Sequence, residues 1–338
     1  MKLLFVGPLW KGSTALQRFK AFQSLPEINV FPLDSMERVG KATLLDRLRH
    51  KLRWPADHHN LNHRLLNAMD ELHPDAVFID SVKIFLPATV KSLKLDYRAR
   101  VVFYSPDDVS APHNSSRQLE ACDRLWDIFF TTKSFNMPEL QARGVRQPIL
   151  IGKSYDAEIH RPWNSTDVGD QFEQFDTVFV GTCEGSRLQS INRLAQAGIK
   201  VVVYGNGWDR SKLHSEVTLY NALYAEDYTR ALHTGKLALC FLRKLNRDLV
   251  TQRSVELPAA ARPMLAEKTG EHDQLFIDGS EYISFTNDDE LVERAGQLLA
   301  CDQQRVAIAQ AGRERCLRSG YSTVDRAKEM YHAIATIS

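Results

Sequence analysis

The chain has 338 residues, 43% hydrophobic and 25% charged, a composition typical of a globular protein large enough for two domains. Its 43 basic and 42 acidic residues leave a net charge of +1, which argues against nucleic acid as the main partner. The sequence contains neither a long unbroken apolar segment nor a CxxC pair, so we expect neither a membrane span nor a structural zinc site. Because the five cysteines are widely spaced and no signal-peptide pattern is present, the expected location is the cytoplasm.

Short runs rich in β-branched and aromatic residues predict strands along the whole chain. The runs are almost continuously apolar, as in parallel strands covered by helices on both faces, and helical patterns separate them. Strand and helix therefore alternate, which predicts repeated βαβ units. The runs of the first half are 2–7, 28–33, 76–80, 100–104 and 127–131, and those of the second half are 176–181, 200–205, 236–242, 262–266 and 282–285.

A polar interval rich in loop-forming residues, 155–174, divides these runs into two equal sets. We therefore predict an α/β protein made of two doubly wound, Rossmann-like parallel-sheet domains that face a cleft. The predicted domains are residues 1–160 and 161–321. The helical pattern of residues 322–338 is expected to cross back to the first domain.

Residues that follow strands are the candidate ligand contacts, because open parallel sheets bind ligands beyond the carboxyl ends of their strands. After the first predicted strand, Gly12 permits close backbone approach, and Ser13 precedes a helix expected to begin near Ala15. The N–H groups at the start of that helix suit an anion. An ordinary strand-to-helix turn explains these residues equally well.

Asp107, Asp108 and His113 follow the fourth predicted strand. Two carboxylates and a histidine are suited to acid–base catalysis, whereas a turn with a helix cap explains the same residue types equally well. Adjacent carboxylates seldom converge on one ion, so we expect no metal here.

Glycines recur after strands of the second half. Gly181 ends a strand, and Arg187 lies in the first turn of the next helix, an arrangement suited to a diphosphate. Gly205 and Gly207 end the following strand beside Trp208, where a flat base fits against the backbone. A loop anchored by the indole is the alternative.

Arg253 and Glu256 are three residues apart, and therefore on one face if helical. The arginine suits a phosphate oxygen and the glutamate suits two ribose hydroxyls. An ion pair within the helix is the alternative.

A basic stretch lies between the second and third predicted strands and ends at Trp54. A solvated helix face accounts for it. The alternative is a surface that meets an anionic lipid head group or acceptor, so peripheral membrane contact stays open. Its cationic residues are Lys41, Arg47, Arg49, His50, Lys51 and Arg53.

An ordered series of motifs runs through residues 246–321. Its pieces are 251–259, 264–269, 271–272, 275–276, 278–281, 289–291, 308–315 and 321–322, with weaker matches at 6–8, 179–181 and 204–208. This series resembles the C-terminal domain of CgeB-like (spore maturation protein) glycosyltransferases, relatives of glycosyltransferase family 4. The resemblance covers the second half of the chain far better than the first.

The resemblance implies a GT-B fold, a nucleotide-sugar donor held mainly by the second domain, retention at the anomeric carbon, and no metal or other cofactor. Glu256 stands where relatives hold the donor ribose, and Arg187 and Arg253 are similar to their diphosphate contacts. Where family 4 relatives often carry a second glutamate, this chain has Leu249, next to Asp248. The predicted donor site comprises Gly12, Ser13, Gly181, Arg187, Gly205, Gly207, Arg253 and Glu256, and the predicted catalytic residues facing the acceptor are Asp107, Asp108 and His113.

The predicted activity is that of a hexosyltransferase-type glycosyltransferase. The acceptor is left open between a glycan, a lipid-linked glycan, a protein and a small molecule. A nucleotide-sugar epimerase and a catalytically silent surface or coat-associated protein are alternatives, because one fold serves several functions.

Overall fold

The computed structural model describes residues 1–35 and 44–337, except for the side chains of Leu44 and His50. It divides into two compact units, Met1–Gly152 with Thr323–Ser338, and Lys153–Ser322. Each unit is built on a six-stranded sheet in which every pairing is parallel.

The first unit has the strand order β2-β1-β3-β4-β5-β6. Its strands are β1 (Lys2–Gly7), β2 (Asn29–Asp34), β3 (Ala76–Asp80), β4 (Arg100–Ser105), β5 (Ile128–Thr131) and β6 (Pro148–Leu150). Its helices are α1 (Thr14–Gln23), α2 (Leu44–Lys51), α3 (Leu61–Leu72), α4 (Pro87–Leu95), α5 (Arg117–Ala121) and α6 (Asn136–Ala142).

The second unit has the strand order β12-β11-β10-β7-β8-β9. Its strands are β7 (Phe175–Val180), β8 (Val201–Tyr204), β9 (Thr218–Tyr220), β10 (Gly235–Cys240), β11 (Met264–Glu267) and β12 (Ile283–Phe285). Its helices are α7 (Ser165–Val168), α8 (Gly185–Gln196), α9 (Ala225–Leu232), α10 (Arg253–Ala259), α11 (Gly270–Leu275), α12 (Asp288–Leu299) and α13 (Asp302–Arg318).

Each sheet separates two hydrophobic cores, which explains the continuous apolar runs. Along β1, Leu4 and Val6 belong to one core, while Leu3 and Phe5 belong to the other. Because successive side chains of a strand point to opposite faces, a strand buried on both faces must be apolar at every position.

Two of the strands were not predicted from the sequence. The predicted strands are present within two residues of their expected ends, but each sheet has six strands and not five. The additional strands, β6 and β9, have three residues each and form the outer edge of their sheets. Edge strands are covered less completely, so neither has a buried apolar run that the sequence pattern can reveal.

The last helix, α14 (Thr323–Ala335), belongs to the first unit. Its Ala327, Met330 and Ile334 are buried in the same core as Phe19 and Phe22 of α1. No helix within the described residues is both long and apolar enough to cross a membrane.

The division between the units falls earlier than the predicted boundary at 160/161. Residues from Lys153 onward belong to the second unit. Tyr155 is buried in the second core, and its backbone N–H donates to Tyr321 O at 3.1 Å. The polar composition of the interval therefore marked a loop-rich region, while Tyr155 at its start already belongs to the second unit.

Candidate functional site

Each sheet has one topological switch point, the place where the strand order reverses direction. In the first sheet it lies between β1 and β3, and in the second between β7 and β10. Numbered within its own sheet, the second order reads 3-2-1-4-5-6, the arrangement that binds dinucleotides in Rossmann folds. The loops beyond the carboxyl ends of these strands are therefore the place to look for a ligand site.

Glycine is required where the loops after β7 and β8 meet. A Cβ on Gly205 would lie 1.9 Å from Gly181 O, and one on Gly181 would lie 2.7 Å from Phe179 Cζ. Gly207 has a φ of 76°, which disfavours other residues. The indole Nε1 of Trp208 donates to Gly181 O at 2.8 Å, so this side chain anchors the loop, which is the alternative weighed from the sequence.

Arg187 connects the loops on both sides of the second switch point. Its Nη1 donates to Thr182 O at 2.9 Å and its Nη2 donates to Phe241 O at 3.4 Å. The guanidinium is buried, and its Nε has no hydrogen-bond partner among the described residues. Burial lowers the pKa of Arg187; Glu184, whose Oε1 is 3.8 Å from Nη1, opposes this shift, and the charge of Arg253 adds to it. An anion bound nearby would relieve this cost of burying positive charge.

Arg253, the first residue of α10, lies at the same switch point. Its Nε donates to Val180 O at the end of β7. Its guanidinium carbon is 5.9 Å from the ring centre of Phe179 and 6.0 Å from that of Tyr228. Within the described ranges no carboxylate pairs with it, so its charge is available to an anionic ligand.

Glu256 is buried one turn further along α10, and is 7% exposed. Its Oε2 accepts a hydrogen bond from Tyr228 Oη at 2.8 Å, and its Oε1 is 3.5 Å from His160 Nε2. Because His160 Nδ1 accepts the backbone N–H of Asp156, the neutral imidazole carries its proton on Nε2, which faces the carboxylate. Burial, followed by the charge of Glu256, raises the pKa of Tyr228 well above its usual value, which keeps that hydroxyl a donor.

The intrahelical ion pair considered for this motif is not formed within the described ranges, since the carboxylate of Glu256 contacts Tyr228 and His160 and not Arg253. At the position of the relatives' second glutamate, Leu249 is partly exposed. The neighbouring Asp248 is buried, and its Oδ1 accepts from Asn246 Nδ2 at 2.8 Å.

The first switch point has a different electrostatic character. Arg18 Nε and Nη2 donate to the two carboxylate oxygens of Asp80 at 2.6 and 3.0 Å, and both side chains are buried. The Arg18 guanidinium carbon is also 4.3 Å from the ring centre of Tyr104. Burial alone lowers the pKa of Arg18, but the charge and hydrogen bonds of Asp80, together with Tyr104 and Asp107, outweigh it and raise the pKa overall. The positive charge of Arg18 is therefore neutralised within the protein by the carboxylate of Asp80.

Gly12 and Ser13 belong to this first unit, and Ser13 acts as a helix cap. Its buried Oγ accepts the N–H of Leu16 at 3.1 Å and donates to Pro8 O at 2.6 Å. Gly12 has a φ of 97°, which suits glycine in the turn before α1. These contacts are those of an ordinary strand-to-helix turn with a helix cap. The other six predicted donor residues belong to the second unit.

The predicted catalytic residues follow β4 but differ in exposure. Asp108 is buried, and its Oδ1 accepts from Asn136 Nδ2 and from the N–H of Ser110, both at 3.0 Å. Asp107 is half-buried and His113 is exposed. Asp108 therefore stabilises the loop, while the other two side chains are accessible.

His113 lines a cavity of about 360 Å³ in the first unit. Arg53 and Lys83 also line it, together with Ser81, Ser115 and Ser116. Arg53 forms an ion pair with Glu120. Of the basic stretch identified in the sequence, Lys41 and the side chain of His50 lie outside the described residues.

Sequence reasoning missed Tyr228, His160 and the pair Arg18–Asp80. Tyr228 is 28 residues from Glu256 along the chain, and Arg18 is 62 residues from Asp80. No local spacing signals contacts of this range. Across the residues that the structure describes, no three His, Cys, Asp or Glu side chains are grouped so as to hold a metal ion.

The chain was compared with known protein families and with known proteins. Residues 187–332, less than half of the chain, match the model of the Glycosyl transferase-like family. This match begins at Arg187, includes α10 and ends within α14. No curated protein matches the chain at a significant level.

Solved structures resemble the chain over its whole length. The Anabaena protein HepE, in complex with UDP and glucose, is 13% identical with a TM-score of 0.67, covering 99% of this chain and 100% of HepE. Sucrose-phosphate synthase from Thermosynechococcus elongatus is 12% identical with a TM-score of 0.67, and both chains are covered completely. A glycosyltransferase from Rickettsia africae is 11% identical with a TM-score of 0.65, covering 100% of this chain and 99% of that one.

These likenesses confirm the predicted fold class, two doubly wound parallel sheets of the GT-B kind. The chain thus has the fold of GT-B glycosyltransferases, and its residues 187–332 match the Glycosyl transferase-like family.

Proposed function

We propose that the protein is a glycosyltransferase whose second unit binds a nucleoside-diphosphate sugar. The observation that carries this proposal is the second switch point, where Arg253 has no carboxylate partner within the described ranges and Arg187 is buried with an unbonded Nε. The helix α8 begins at the same place, and its N-cap residue Glu184 forms no capping hydrogen bond through its side chain. Two guanidinium groups and a helix N-terminus together suit a diphosphate.

The proposed reaction places new negative charge on that diphosphate. The bond between the anomeric carbon and the phosphate oxygen breaks with its electron pair on the oxygen, and an acceptor oxygen bonds to the anomeric carbon. Arg187 and Arg253 stabilise the departing phosphate, and because they are already in place, no reorganisation is needed during the step. The acceptor hydroxyl loses its proton to a base or to the departing phosphate.

Glu256 is proposed to hold the donor ribose. Tyr228 occupies one acceptor direction on Oε2, His160 Nε2 lies 3.5 Å from Oε1, and an ionised carboxylate has about four such directions in all. The remaining directions can accept two ribose hydroxyls. The bond from Tyr228 and the nearby His160 therefore orient the carboxylate without using up its capacity.

Asp107 and His113 are the candidates for contact with the acceptor, because their side chains are accessible while Asp108 is committed to its loop. We further propose metal-independent transfer with retention, on the resemblance to family 4 relatives. HepE was solved with UDP and with UDP-glucose, which makes UDP-glucose the first donor to test.

The proposal is tested by calorimetric titration of the full chain with UDP and GDP, with and without EDTA. Each of a panel of nucleotide sugars is then incubated with the protein, and hydrolysis and epimerisation of the sugar are followed by NMR. We expect UDP binding that EDTA does not change, and slow release of free sugar from the accepted donor. An epimerised donor would favour the epimerase, and no binding of any nucleotide or nucleotide sugar would contradict the proposal.

A further inference from the structure

The segment of α2 and the residues after it expose an apolar stripe to water. Leu45, Leu48, Leu52 and Trp54 are between 47% and 54% exposed, and together with the cations below they define the α2 surface. Leu45 and Leu48 are three residues apart on one face of α2, and Leu52 follows the last residue of the helix, with its N–H bonded to Leu48 O. Among the described residues of the first unit, four of the seven exposed large apolar side chains are thus concentrated in ten residues, which is unusual for a surface in contact with water only.

The same segment carries positive charge that the protein does not neutralise. Within the described ranges, Arg47, Arg49 and Lys51 form no ion pair. The carboxylate of the segment, Asp46, is 2.7 Å from His58 Nε2. The next cation along the chain, Arg53, lines the cavity that also contains Lys83, and its charge is paired with Glu120. The positive charge without a partner is therefore that of α2 itself.

We propose that the α2 surface binds the protein to an anionic lipid bilayer. A segment that exposes leucines and a tryptophan beside Lys and Arg can lie at the surface of a bilayer, with the apolar side chains between the lipid tails and the long cationic side chains reaching the head groups. Both features of the surface are then satisfied at once. A second copy of the chain is a poor occupant, because it would bring the same cations together.

Binding of the protein to an anionic bilayer is tested by co-sedimentation of the full chain with vesicles. One set is pure phosphatidylcholine, and the other is equal parts of phosphatidylcholine and phosphatidylglycerol. We expect binding to the anionic vesicles that weakens as salt is added, since exposed charges are screened. Equal binding to both vesicle types, or none to either, overturns the proposal.

Two matched pairs of variants assign the binding to this surface. The double variant Leu48→Gln with Leu52→Gln should lose most of its binding, whereas Leu95→Gln, which changes an exposed leucine of α4, should keep it. Arg47→Gln with Lys51→Gln should lower partitioning about fivefold for each cation removed, since a cation near such a surface contributes on this scale. Lys20→Gln with Lys91→Gln, exposed lysines of α1 and α4, is the control.

Losses that are equal in test and control variants would overturn the assignment to α2. So would a dimer, detected by light scattering, that Leu48→Gln with Leu52→Gln abolishes, because a second copy would then cover the stripe. Melting temperature and UDP titration of each variant should match the unaltered chain, which keeps this result separate from the proposed transferase activity.

Discussion

The two switch points share a topological role and differ in how their charges are arranged. At the first, Arg18 forms two hydrogen bonds to the carboxylate of Asp80, and both side chains are buried. At the second, Arg253 has no carboxylate partner within the described ranges, and Arg187 has only Glu184 at 3.8 Å. The fold determines where a site can form. The residues at that place determine whether an arginine is neutralised by a carboxylate of the protein or is available to a ligand.

The largest expected effect comes from removing the carboxylate that pairs with Arg18 at the first switch point. Asp80→Asn leaves Arg18 as a buried charge without its counterion, so the free energy of unfolding should fall by about 3–5 kcal/mol in urea titrations. Replacing both partners, as Arg18→Met with Asp80→Leu, should recover most of the loss. UDP affinity of the folded protein should not change, and a strong loss of affinity in Asp80→Asn would show that this pair also serves the nucleotide.

Acid should destabilise the second unit through His233 and His272. Burial is the main reason that the pKa of each is lowered to about 4 from an ordinary 6.5. Nε2 of His233 accepts the N–H of Trp163, a bond that protonation would break, and Nε2 of His272 lies 2.7 Å from Ser254 Oγ, a contact whose direction protonation would reverse.

Because the folded pKa lies below the unfolded one, the stability is fully present above pH 6.5 and is lost as pH falls through about 4. Each histidine should contribute a loss of about 3 kcal/mol over that window, since one pKa unit corresponds to 1.36 kcal/mol. His272→Gln should flatten the pH dependence of the unfolding free energy. The exposed His332 is the control, and an equal flattening in His332→Gln would contradict the assignment.

Arg253→Lys tests whether the guanidinium of Arg253 is available to a ligand. Lysine keeps the charge but loses the forked donors, so UDP affinity should fall by about 2 kcal/mol, roughly thirtyfold in Kd. Arg262→Lys is the matched control, because this buried arginine lies before β11 and pairs with Glu173. Calorimetry in which both variants lose the same affinity would remove Arg253 from the proposed diphosphate contacts.

A smaller effect is expected from Tyr228→Phe, which removes one hydrogen bond to Glu256. Stability should fall by about 1 kcal/mol, and UDP affinity should fall because the carboxylate is less well oriented. Tyr282→Phe removes a similar bond, from Tyr282 Oη to Asp273 at 2.7 Å, away from the switch point. It should cost similar stability with unchanged affinity, and parallel losses of affinity would make Tyr228 merely structural.

The sequence predicted the sheets well because strands buried on both faces leave an unbroken apolar run, as in β1 and β3. It missed β6 and β9, which lie at edges and are only partly covered. For the site, the three-residue spacing of Arg253 and Glu256 was enough to place both on one helix. The partners of Glu256 could not be predicted, because Tyr228 and His160 reach it only after the sheet has brought distant segments together.

The central claim is that the nucleotide binds at the second switch point and not at the first. Hydrogen–deuterium exchange of the full chain, with and without saturating UDP, tests this directly. We predict slower exchange of the amides in residues 181–188 and 252–256, and unchanged exchange in residues 7–18 and 80–82. Protection confined to the first unit would contradict the account.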